Sequence, residues 1–308
     1  MPLNEKFLTY RGDLQALIGH ETTAYFVSEH SEKQPTAIYA VNAESLALEE
    51  QPLPAGGRCL AIETDDKNNA TLWVGGSDGQ LYRTTPKDKK PKSIGQAFES
   101  PITSLALLSD DRIAVLTESV ISVLARKDGK VLQTLDLAET GTKLAADPTG
   151  EWLVAGTSKG MIFVFECEEK SEFLLSESDK LHEAAVTAIL FEPEELRFFS
   201  AGADQKLLLT HARGTLEPED RGRANNHNEP ITSMVLAPGE RFITGSRDRT
   251  LKSWTRAGAS RPATTKDGVA TVVDLGLVSI HKRTHLVVAC DDNTLRLFLV
   301  DAGGKIGE

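Results

Sequence analysis

The chain repeats itself. Apolar segments of one type begin near Leu17 (LIGHE), Cys59 (CLAIE), Ile102 (ITSLALLSD), Lys143 (KLAADPTG), Val186 (VTAILFEPE), Ile231 (ITSMVLAPG) and Ala270 (ATVVDLGL), at successive spacings of 42, 43, 41, 43, 45 and 39 residues. A fixed period near 40 residues constrains a chain more than local propensity does. Each unit must be one supersecondary module that hides its apolar faces only against its neighbours. Seven such units span the 308 residues.

Within a unit the order is constant: the apolar segment, a turn rich in Asp, Pro, Gly or Glu, a second short run, a tight polar turn and a third run. Such short runs between turn signals are antiparallel strands rather than helices. The second runs TLWVGGSDG (71–79), EWLVAGTSKG (151–160), RFFSAGADQ (197–205), RFITGSRDR (241–249) and HLVVACDDN (285–293) are apolar at successive positions, which marks strands buried on both faces. Aligned on Asp78, Lys159, Asp204, Asp248 and Asp292, they hold Gly75, Gly156, Ala201, Gly245 and Ala289 three residues earlier. A column of only Gly and Ala predicts a place where neighbouring sheets crowd together near the axis of a radial array. Sheets of this kind, buried on both sides, must stack on one another, and a ring of blades does so while protecting their edges. The expected fold is all-β: a seven-bladed β-propeller of four-stranded antiparallel blades.

At this point the residues resemble the WD-repeat β-propeller family, from about Lys6 to Asp301. The sixth unit is fullest, with His227 before its first strand, Ser246 and Asp248 about the tight turn of SRDRTLKSW, and Trp254 six residues after that Asp. The fifth keeps His182 and Asp204 but has Gly202 and Thr210 at the hydroxyl and Trp positions. Thr157 and Phe165 stand in the fourth, Phe298 takes the Trp position in the seventh, and Gly19-His20 looks like the family's Gly-His dipeptide. No Trp-Asp dipeptide survives intact, since Thr255 follows Trp254. The resemblance implies that His227, Ser246, Asp248 and Trp254, with His182 and Asp204, form buried hydrogen-bond networks that pin loops between blades. It also implies closure by pairing of the chain's two ends. Residues 6–13, and in particular those near Phe7–Arg11, should supply the outer strand of the sheet built from 270–300.

Lys+Arg at 34 against Asp+Glu at 45 gives a net charge of −11, which repels phosphate backbones and anionic lipid. Neither nucleic acid nor membrane is an expected partner. No apolar stretch approaches the roughly 20 residues of a membrane span, and MPLNEKFLTYRGD lacks the layout of a secretory signal. Cys59, Cys167 and Cys290 give neither a disulfide framework nor a zinc motif, so a reducing compartment, cytoplasmic or nuclear, is expected.

Ser, His and Asp in the sixth unit have the ingredients of nucleophilic catalysis, but blade packing accounts for them. His281 and His285 have i, i+4 spacing without a helix to give it meaning, and Cys290 ends an apolar strand. Phosphate-loop and dinucleotide motifs are missing. No catalytic residue, cofactor or metal is expected. The basic run KDKKPK (87–92) reads as an outer loop, the acidic stretch ECEEKSEFLLSESDKLHE (166–183) as outer-blade surface, and GTLEPEDRGRANNHNEP (214–230) as a long rim loop. No interdomain linker stands out, so residues 1–308 are expected to form one domain.

The expected function is a non-catalytic scaffold that binds a protein or peptide, for instance one with a basic segment, within a multiprotein complex. A propeller-based hydrolase or lyase with its site at the central channel, or a purely structural subunit of a larger complex, are the alternatives. In the resembled family, partners bind the loops leading into the first strands and the turns after the second strands. Those positions here are Glu99, Ser100, Glu183, Asn228 and Glu229 in the loops, and Ser77, Arg247, Arg249 and Asp291 in the turns.

Overall fold

The computed structural model describes residues 6–10, 12–29, 36–109, 111–168, 172–220, 227–256, 264–267 and 269–307. These form seven four-stranded antiparallel sheets, six of them laid out in chain order from an inner to an outer strand. The innermost strands are Asp13–His20, Gly57–Thr64, Ile102–Leu107, Gly141–Ala146, Val186–Phe191, Ile231–Ala237 and Val272–Ile280. We number the blades one to seven in that order. Each innermost strand touches that of the next blade, and the seventh touches the first, so the ring is closed.

Closure uses both ends of the chain. Lys6–Thr9 forms the outer strand of the seventh blade, pairing antiparallel with Thr294–Val300 in the register Lys6↔Leu297 to Thr9↔Thr294. Tyr10 extends the seam: its N–H donates to Asn293 O and its hydroxyl to Cys290 O, each at 2.9 Å. Arg11, also expected in this strand, lies outside the described residues, as do 221–226 of the long rim loop.

The small-residue column explains how the blades fit, though not in the place expected. It sits in the second strand of each blade, against the first residue of the next blade's innermost strand. A Cβ on Gly75 would lie 2.5 Å from Ile102 Cγ2, one on Gly156 2.5 Å from Val186 Cγ1, and one on Gly245 2.4 Å from Val272 Cγ1. At two contacts the sizes are exchanged. Val27 faces Gly57 and Leu116 faces Gly141, with Cβ approaches of 2.6 and 2.7 Å. Ala201 with Ile231 and Ala289 with Leu14 share the remaining cores. At the five glycine contacts the small partner faces a branched one, and the two remaining pairs set Ala with Ile or Leu in one core, so small and large residues are matched around the ring.

The axis itself is lined by the innermost strands. Each shifts register near its start, after the first residue in six blades and after Leu14 in the first, a bulge repeated in all seven. In four consecutive blades the bulged residue is Thr. Thr142 Oγ1 lies 3.0 Å from Gly156 O in its own blade and 2.7 Å from Val186 O in the next; Thr232 Oγ1 stands likewise, 3.2 Å from Gly245 O and 2.9 Å from Val272 O. The axial wall is therefore hydroxyl-bearing rather than Gly and Ala.

Candidate functional site

In the sixth blade, His227 precedes the innermost strand and Asp248 occupies the turn after the second strand. His227 Nδ1 is 2.9 Å from Asp248 Oδ2, and its Nε2 is 2.7 Å from Thr244 Oγ1. Trp254 Nε1 donates to that same hydroxyl at 2.8 Å. An indole nitrogen only donates and an ionised Asp248 only accepts, so in the neutral ring Nε2 is the acceptor. Thr244, which takes the indole proton, turns its own toward Nε2 at 2.7 Å rather than toward Lys252 O at 3.4 Å. Nδ1 then carries the imidazole proton and donates to the Asp248 carboxylate. Ser246, expected in this chain, lies outside it: Ser246 Oγ donates to Glu229 O and accepts from Asp248 N–H, each at 3.0 Å. The hydroxyl between Trp and His comes from Thr244 because the second strand brings that side chain, two residues earlier, beneath the imidazole.

The fifth blade repeats the design with one part missing. His182 bonds Asp204 Oδ1 and Ser200 Oγ, both at 2.9 Å. Thr210, at the Trp position, leaves its buried hydroxyl without a protein partner. Gly19-His20 has no such role: it ends the innermost strand of the first blade, where a Cβ on Gly19 would collide with the backbone of Leu277. The residue four before that blade's leading Leu14 is Tyr10.

Burial lowers the His227 pKa against the pull of Asp248 and so favours neutral imidazole. Burial also acts to raise the Asp248 carboxyl, but bonds from His227, Thr250 and the Asn228 N–H outweigh it and hold the group well below the usual carboxylate range. Asp204 is depressed in the same way by His182. With both imidazoles at 2% exposure or less, neither can reach a substrate.

The residues expected to meet a partner lie on one rim. Glu99, Glu183, Asn228, Glu229, Arg247, Arg249 and Asp291 are exposed, while Ser77 and Ser100 are half-buried. Five blades tie the two loop classes of this rim together by one backbone bond each. Ser77 N–H donates to Gly56 O at 2.7 Å, Ser158 to Thr140 and Ala203 to Ala185 at 2.8 Å, Arg247 to Pro230 at 3.0 Å and Asp291 to Thr271 at 2.9 Å. Arg247 and Asp291 also line an axial cavity of about 680 Å³, together with Thr142, Lys143, Thr187 and Thr232. The remaining expected residues do not line that cavity. Lys143 and the threonines were not singled out from the sequence, although the triplets ITS, GTK, VTA and ITS recur at the start of four units.

Asp274, in the innermost strand of the seventh blade, accepts from Ser233 Oγ at 2.6 Å and from Leu17 N–H at 2.7 Å. Desolvation pushes its carboxyl up, opposed by the positive charge of Lys143 and by these hydrogen bonds. Burial pushes the Cys59 thiol up to about 12 and the Cys290 thiol up to about 11, which makes both poor nucleophiles. His281, in the last inner turn, bonds Glu44 Oε1 at 2.7 Å on the surface. Among the described residues no group of three or more His, Cys, Asp or Glu is placed to hold a metal ion. They include no helix long and apolar enough to cross a membrane.

The ring, its blade order and its end-to-end closure define a seven-bladed WD40-type β-propeller. Residues 221–255, which include the first three strands of the sixth blade, match the family model described as "WD domain, G-beta repeat". Over 197 residues the chain is 30% identical to "Actin-interacting protein 1-2" of Arabidopsis thaliana, covering 62% of this chain and 30% of that protein. It is 27% identical over 183 residues to "Pre-rRNA-processing protein IPI3" of Yarrowia lipolytica, covering 57% and 42% respectively. The chain thus spans less than half the length of these relatives. In fold it is similar to a chain in "Crystal Structure of Mitotic Checkpoint Complex", with a TM-score of 0.76 and 16% identity over 96% of this chain and 91% of that one.

Proposed function

We propose that this propeller is a non-catalytic interaction scaffold that binds a protein or peptide on the rim carrying Ser77, Glu99, Ser100, Glu183, Asn228, Glu229, Arg247, Arg249 and Asp291, as one member of a larger assembly. The pinning of that rim carries the reading. Five turn amides are bonded to the facing loops, so the exposed side chains between them are presented with little ordering entropy left to lose on binding. His182, His227 and the two buried thiols are committed to the interior, which disfavours a catalytic reading at these groups. A relative named for interaction with actin is in keeping with a contact role.

Affinity capture with the full chain tests the proposal, repeated after Arg247→Glu and after Glu229→Lys. Loss of captured proteins in either variant, with the thermal melt unchanged, is expected. Identical recovery in both would place binding elsewhere than this rim.

A further inference from the structure

The outer edges of the blades are unequal. Among the described residues the outer strand of the fourth blade, Glu172–Lys180, runs for nine residues, and that of the third, Val131–Asp136, for six. The others have five or fewer. An outer strand carries a row of backbone N–H and C=O groups that no fifth strand satisfies, and proteins usually blunt such edges by keeping them short. Here the longest edge is also greasy. Four of the five large apolar side chains that stand exposed among the described residues are Val131, Leu132, Leu174 and Leu175, at 47 to 54% exposure.

The two strands are locked side by side. The Gln133 carboxamide donates from Nε2 to Phe173 O at 2.7 Å and accepts from Phe173 N–H at 2.8 Å. That reciprocal pair is what the peptide group of an added strand would make, so the edge already receives an amide at one residue. Leu132 precedes the bridge and Leu174 follows it, leaving the exposed pairs on either side. Beyond Phe173, six of the seven residues from Leu174 to Lys180 are exposed.

Charge decides the occupant. Glu172, Glu177 and Asp179 stand exposed on the strand, while the ammonium of Lys180 is 3.1 Å from Glu183 and its charge is largely offset. Two copies of this edge would set carboxylates against carboxylates, which disfavours self-pairing. We propose that the outer edge of the fourth blade, along Leu174–Lys180, receives an extended segment of a partner protein, with apolar side chains alternating with lysine or arginine, as an added strand. The backbone supplies the pairing: Leu175 takes the apolar side chains on one face of the sheet, while Leu174, Glu177 and Asp179 share the other, where the lysine or arginine stems pack on Leu174 and their charges meet the two carboxylates. This surface meets the rim only where Lys180 pairs with Glu183, and the proposal does not depend on the rim's role.

The probe is a labelled synthetic peptide alternating lysine and valine, titrated with the full chain and followed by fluorescence anisotropy. Binding is expected to weaken tenfold or more in Leu174→Ser/Leu175→Ser, to be unaffected by Leu48→Ser and Arg247→Glu, and to fall with added salt. The same peptide N-methylated at alternate residues keeps its charges and side chains but cannot pair, and is expected not to bind. No binding of the parent peptide, equal binding of the methylated one, or equal binding by the double serine variant would overturn the proposal. So would sedimentation showing a dimer of the native chain that the double variant dissolves, since a second copy would then be the occupant.

Discussion

Exchanging the residues across the contact between the fourth and fifth blades, Gly156→Val with Val186→Gly, should cost far less stability than either change alone. In Gly156→Val the new Cβ falls 2.5 Å from Val186 Cγ1 and 2.6 Å from its Cβ. Overpacking of this kind costs about 1–3 kcal/mol. In Val186→Gly a side chain 1% exposed is deleted. Lost burial and the cavity cost about 2–4 kcal/mol, and glycine in a strand adds about 0.5–1 kcal/mol. The exchange conserves volume and recreates the arrangement that Val27 and Gly57 already hold between the first and second blades. It should therefore cost less than about 1.5 kcal/mol. A double-mutant cycle in urea reads the coupling, and about 2 kcal/mol corresponds to a midpoint displacement of roughly 1 M for a slope near 2 kcal/mol/M. Additive costs with an unchanged slope would show that the contacts are not reciprocally packed.

The buried network yields further expectations. Thr244→Val leaves both Trp254 Nε1 and His227 Nε2 unpaired and should cost about 2–4 kcal/mol by chemical denaturation, whereas Ser246→Ala should cost about 1 kcal/mol; equal costs would contradict the assigned chain. Thr210→Val removes an orphan hydroxyl without changing shape and should stabilise by about 1 kcal/mol in the same assay. Acid should destabilise the protein in two stages. His227, held neutral, binds fewer protons folded than unfolded, so stability falls as pH drops through the unfolded value of 6.5 toward the lower folded one. Asp248 contributes stability above its unfolded value of 3.8 that is lost as pH falls toward its depressed folded value. Melting temperature against pH should fall less steeply below pH 4 in Asp248→Asn than in the native chain.

Sequence periodicity carried the architecture because each unit has to repeat the same inward-facing solution, and the small residues of the second strands marked the tightest contacts. It misplaced them by one layer. Those residues face the neighbouring blade, and the axis is faced by the residue after each leading position, where in the third to sixth blades a bulge turns Thr inward. Ser246 and Thr244 flank Gly245 in one strand, and only the strand's register shows which hydroxyl lies under the imidazole. Ser200 and Thr244, each four residues before its Asp, were the available signal. Gly19-His20 misled because a dipeptide match carries no information about which end of a strand it occupies. The exposed Leu174 and Leu175 were masked by the carboxylates around them, which made the segment read as ordinary surface.

The rim's standing as a preformed platform is most directly tested by amide hydrogen exchange in the free protein. The N–H groups of Ser77, Ser158, Ala203, Arg247 and Asp291 lie in surface turns, yet each is bonded to a loop carbonyl at 2.7 to 3.0 Å. Protection approaching that of the adjoining second strands is the expected result. Exchange of these five amides at the rate of an open turn would mean that the loops are not held together, and that recognition does not start from a rigid rim.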